Sequence, residues 1–101
     1  MSYPLVKRVS HRLFGQLLRM MLSESVYFDL TLEEGRTLSR VFTAVAYDWR
    51  RTDVIYLSPL GGDAEFSAAV GQDGVHVETT DGRHHLNWDD VTELAERLAV
   101  E

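Results

Sequence analysis

Cysteine is absent from the 101 residues, which removes disulfides, thiolate nucleophiles and cysteine-ligated zinc together and fits a reducing compartment. Long apolar runs are missing too, and Arg19 interrupts the one nearest the N-terminus. Neither a membrane span nor a secretory leader is therefore expected, and the cytoplasm is the expected location. No phosphate-cradling loop is present, because Gly61-Gly62 lacks the spaced glycines and the lysine that such a loop needs. The serines lack the context of a nucleophile elbow. No linker, repeat array or low-complexity tract divides the chain, so it reads as a single α+β domain spanning residues 1–101.

What is present is ordinary in amount and uneven in placement. A hydrophobic fraction of 45% and a charged fraction of 26% are globular values that exclude disorder. Residues 1–23 hold Lys7, Arg8, Arg12 and Arg19 and no acid, whereas residues 24–101 hold six arginines against sixteen carboxylates, for a formal net charge of −6. An acidic body argues against direct nucleic-acid binding, which needs a basic surface. It leaves room for one basic element.

Residues 5–22 follow Pro4 and read as an amphipathic helix. Val6, Val9, Leu13, Leu17, Met20 and Met21 recur at helical spacing, with Phe14 and Leu18 widening the stripe. Arg8, Arg12 and Arg19 then form a ridge on the opposite side. A helix apolar over half its circumference has a second surface to bury, in its own core or against another subunit.

Val26–Leu30 alternates as a strand does. Thr31 through Glu34 follow as a capping box: the threonine hydroxyl accepts from the backbone three residues on, and the glutamate reaches back. The helix so started spans 32–50, although Thr37, Val41, Thr43, Val45 and Tyr47 are β-formers and make a long strand the competing reading. An internal comparison favours helix. Leu30-Thr31-Leu32-Glu33-Glu34 aligns with Leu86-Asn87-Trp88-Asp89-Asp90, and in that register Leu38 falls over Leu94 and Phe42 over Leu98. Asp53–Ser58 contains the apolar run Val54-Ile55-Tyr56-Leu57, which suggests a central strand buried on both faces. Pro59 ends it, and Gly61-Gly62-Asp63 forms a turn.

Phe66–Trp88 reads as a three-stranded meander turning at Gln72-Asp73-Gly74 and Asp81-Gly82. With Asp81-Gly82 as a two-residue turn, Glu78 faces His85, Thr79 faces His84 and His76 faces Asn87. Phe66, Ala68, Val70, Val75, Val77, Leu86 and Trp88 share the inner face; His76, Glu78, Arg83 and His85 share the outer one. Asp89–Val100 closes the chain as a helix. The expected fold is a mostly antiparallel sheet of about five strands, with N-terminal, central and C-terminal helices packed on one face.

Three functions fit this reading. The first is a small acidic, non-enzymatic interaction protein without a cofactor: an adaptor, an inhibitor or an immunity-type binder of another protein, with a basic nucleic-acid-binding protein as one target. Its candidate contacts are Arg8, Arg12, Arg19, Tyr47, Arg50, Arg51 and Glu78, since arginine and aromatic side chains dominate interface energetics. The second is a homo-oligomeric scaffold, such as a homodimer, joined through the N-terminal helix or an unpaired strand edge. The third is a small metal-dependent or acid–base enzyme using His76, Glu78 and His85, two imidazoles and a carboxylate on one sheet face.

Overall fold

The structure is a computed structural model that describes residues 2–62 and 64–99. Its elements are β1 (Leu5–His11), β2 (Gly15–Met21), β3 (Tyr27–Leu30), α1 (Leu32–Tyr47), a 3-10 turn (Trp49–Arg51), β4 (Val54–Leu57), β5 (Phe66–Gly71), β6 (Gly74–Thr79), β7 (Gly82–Leu86) and α2 (Trp88–Ala99). They form two antiparallel sheets, β1-β2-β3 and β4-β5-β6-β7. The single five-stranded sheet with three helices expected from the sequence is thus replaced, among the described residues, by sheets of three and four strands with two helices. Asp63 in the expected turn and Val100 at the expected end of the last helix lie outside the described residues.

The N-terminal segment accounts for most of that difference. It is a β-hairpin, and its turn is tied by His11, whose Nδ1 accepts from the backbone N–H groups of Leu13 and Phe14 at 3.0 and 3.3 Å. The helical spacing arose because β2 is covered on both sides. Leu18 and Met20 enter the common core, while Leu17 on the other face is covered by the backbone at Gly61. Adjacent buried pairs on a doubly covered strand imitate a wide helical stripe. With the helix gone, association through an N-terminal helix has no surface to act through.

Each helix begins with a reciprocal cap. The Thr31 hydroxyl accepts from the Glu34 backbone at 3.0 Å, and the Glu34 carboxylate accepts from the Thr31 N–H at 2.9 Å. Asn87 and Asp90 repeat the arrangement at 2.8 and 3.2 Å. Each cap ends a three-stranded meander, so β1-β2-β3-α1 and β5-β6-β7-α2 are the same device used twice, with β4 added beside β5. The helices pack on each other and on the inner sheet faces, burying Leu38 and Phe42 of α1 and Leu94 and Leu98 of α2. Phe66 sits edge-on to both Phe28 and Phe42, at ring separations of 5.2 and 6.1 Å, and joins the two sheets to α1.

Candidate functional site

Helices cover one face of the four-stranded sheet and leave the other open. Strand alternation puts Val75, Val77 and Leu86 inside and His76, Glu78, Arg83 and His85 outside, as the sequence pattern predicts. The register differs. His76 lies opposite His85, and Glu78 opposite Arg83. Every partner on β7 has moved by two residues, so faces survive and pairs do not.

The cause lies in the turns. A type I′ turn at Asp81-Gly82 would need positive φ at Asp81, yet no described residue other than glycine has one. Thr80-Asp81 instead form the loop, Gly82 closes it at φ +118°, and the Thr79 hydroxyl donates to the Gly82 carbonyl at 2.8 Å. The preceding turn is built alike: Gln72-Asp73 form the loop and Gly74 closes it at φ +136°. The sequence signal was present in both turns, as a glycine placed directly after an aspartate. Reading that glycine as the closing residue yields the observed register.

This register assembles a cluster that the sequence reading only half anticipated. The His76 and His85 rings stack with centroids 4.6 Å apart and planes 25° from parallel. Both turn Nε2 toward Asp73, at the tip of the β5–β6 turn. His76 Nε2 donates to Asp73 Oδ1 at 3.3 Å, His85 Nε2 donates to the Asp73 carbonyl at 3.0 Å, and His85 Nε2 is 3.6 Å from Oδ2. The hydrogen bond from His76 holds the Asp73 carboxyl below its ordinary range; desolvation opposes it, and Asp73's own backbone N–H and the two imidazoles add to the lowering. The Trp88 indole anchors the turn from below by donating to the Gln72 carbonyl at 2.9 Å. Asp73 takes the place expected of Glu78, whose carboxylate is engaged by Arg83 across the strand pair.

The expected basic ridge is dispersed by the hairpin. Arg8 is exposed and donates to Gln16 across the strands; Arg12 stands in the turn. Arg19 is committed elsewhere, with a bidentate pair to Asp29 at 2.8 and 3.1 Å and its guanidinium 4.1 Å above the Tyr27 ring. Tyr47, Arg50 and Arg51 are all exposed. Tyr47 is 92% exposed at the end of α1, and Arg50 lies over the half-buried Trp49 ring at 5.0 Å.

Strand β4 is not the doubly buried central strand that its apolar run suggests. It is an edge strand, with Ile55 in the core and Val54 and Tyr56 exposed at 58% and 59% on the open face. Across the open face Val54 pairs with Ala69, Ala69 with His76, and His76 with His85. A cleft of about 600 Å³ lies where the β2–β3 loop meets the β6–β7 turn and includes Glu78 but neither imidazole. No helix among the described residues is long and apolar enough to cross a membrane. No protein-family model, curated protein or solved structure matches the chain.

Proposed function

We propose that the chain is a small acidic, non-enzymatic binding protein that takes an extended, basic segment of a partner protein along β4, in the cytoplasm. The observation supporting this reading is the character of that edge. Sheets are normally bounded by short, charged or covered strands, because an open ladder recruits another strand. Of the four edge strands among the described residues, β1 carries Lys7 and Arg8, β3 carries Asp29 and β7 carries Arg83; β4 alone has no charge or histidine, and it exposes Val54 and Tyr56. Main-chain pairing would supply affinity, and the alternate side chains would supply selectivity. Tyr47, Arg50 and Arg51 lead directly into β4 and extend the contact area.

Charge narrows the partner. The sixteen carboxylates of the body favour a basic segment and accelerate its encounter. Nucleic-acid-binding proteins carry such segments by necessity. The test is capture from a lysate of the native host by wild type and by the Val54→Lys/Tyr56→Lys variant. A basic protein should be retained by wild type, lost by about tenfold or more in the variant, and released as salt rises. Equal retention by both proteins overturns the reading. Sedimentation of the two proteins covers the other occupant of the same edge: a dimer abolished by the double substitution would make a second copy of this chain the partner.

A further inference from the structure

The geometry points to a binding site for a first-row transition-metal dication, such as Zn²⁺, formed by Asp73, His76 and His85. A tetrahedral zinc with ligands at about 2.0 to 2.2 Å holds its ligand atoms about 3.3 to 3.6 Å from one another. Asp73 Oδ1 is 3.3 Å from His76 Nε2, and Asp73 Oδ2 is 3.6 Å from His85 Nε2. One ligand atom from each of the three residues lies within 4.8 Å of the others.

The donor set selects the ion. Two imidazoles and one carboxylate suit zinc, nickel or copper and disfavour magnesium and calcium, which prefer all-oxygen shells. Three protein ligands on an open sheet face leave a coordination position for water or a further donor. The framework is held by contacts of its own: the imidazoles are stacked cross-strand neighbours, and the turn carrying Asp73 is tied to Trp88. In this arrangement both Nε2 atoms donate to Asp73, so each carries a proton. Metal binding turns Nε2 into a lone-pair donor, and each neutral ring then keeps its proton at Nδ1. Nothing in this site depends on β4.

The experiment is calorimetric titration of the full chain with Zn²⁺, using Mg²⁺ as control, together with ¹⁵N-detected imidazole spectra. One zinc per chain should bind, the Nε2 resonances of His76 and His85 should shift, those of His11 should not, and Mg²⁺ should produce neither effect. His76→Ala and His85→Ala should each weaken binding by about tenfold or more, and Asp73→Asn should weaken it as well. Glu78→Gln should leave it unchanged, which separates this triad from one built on Glu78. Val54→Lys/Tyr56→Lys should also leave it unchanged, so partner capture and metal binding stand or fall separately. Zinc binding that survives the double change His76→Ala/His85→Ala, or imidazole spectra unmoved by equimolar zinc, overturns the proposal.

Discussion

At the scale of single residues, two glycines decide whether the Asp73 cluster exists. A Cβ at Gly74 would stand 2.0 Å from the Leu86 carbonyl oxygen, and the backbone there is at φ +136°. Gly82 has a similarly glycine-only backbone at φ +118°, but open space around it. Gly82→Ala should therefore cost the conformational term alone, about 1 to 3 kcal/mol. Gly74→Ala adds a collision with backbone that no rotamer relieves, and it should exceed the Gly82 variant clearly in urea denaturation. Equal losses would mean that β6 and β7 separate easily at this point. Tyr56 offers a separate test of local electrostatics. The neighbouring Glu65 carboxylate disfavours loss of the hydroxyl proton and so raises the phenol above its ordinary pKa, with a lesser desolvation in the same direction and Ser58 opposing. A group raised on folding contributes stability that is fully present below its unfolded pKa of about 10 and is lost as pH climbs through the higher folded value. In an ultraviolet titration Tyr56→Phe should remove a late-titrating phenol, and Glu65→Gln should bring that phenol's midpoint down. A midpoint indifferent to Glu65→Gln would break the assignment.

At the scale of elements, what was legible in the sequence was whatever local chemistry dictates. The meander β5-β6-β7, strand β3 and both helices follow from alternation and caps. Thr31 and Asn87 each answer their own helix's free N–H groups whatever the tertiary context. Replacing either by alanine should cost about 1 kcal/mol, seen as a lower urea midpoint with an unchanged slope, and Thr31→Ser should restore most of it. What was not legible depends on cover from distant chain. Leu17 is buried because the loop after β4 crosses it, a fact absent from residues 5–22 themselves. Strand β4 misleads in the opposite sense, since its apolar run lies at an edge where Val54 and Tyr56 meet solvent. The candidate cluster was half legible for a third reason. His76 and His85 were assigned to the right face by parity, but Asp73 comes from a turn, and a displacement of two residues in pairing decides which carboxylate joins them.

At the scale of the whole molecule, the repeated meander-and-helix device raises the question of whether its two copies unfold together. Each helix has more to bury than its own sheet can cover: α1 and α2 pack on each other, and the buried Ser39 hydroxyl of α1 donates to the Ala95 carbonyl of α2 at 2.6 Å. Phe66 of the second sheet lies between Phe28 of the first and Phe42 of α1. The radius of gyration, 12.6 Å, matches the value of about 12.7 Å for one compact body of this length. These couplings predict a single cooperative transition. The two tryptophans make it measurable, because Trp49 follows α1 and Trp88 begins α2. In urea, Trp49→Phe and Trp88→Phe variants each retain one reporter. Each variant's fluorescence midpoint should coincide with its own far-ultraviolet circular dichroism midpoint. Phe66→Ala should remove about 3 to 5 kcal/mol, a large part of the roughly 5 to 15 kcal/mol a domain possesses, and should lower the Trp49 and Trp88 transitions by the same amount. If only the Trp88 signal moved, the second sheet and α2 would form a unit that opens alone, and the aromatic contact through Phe66 would not be what couples the halves.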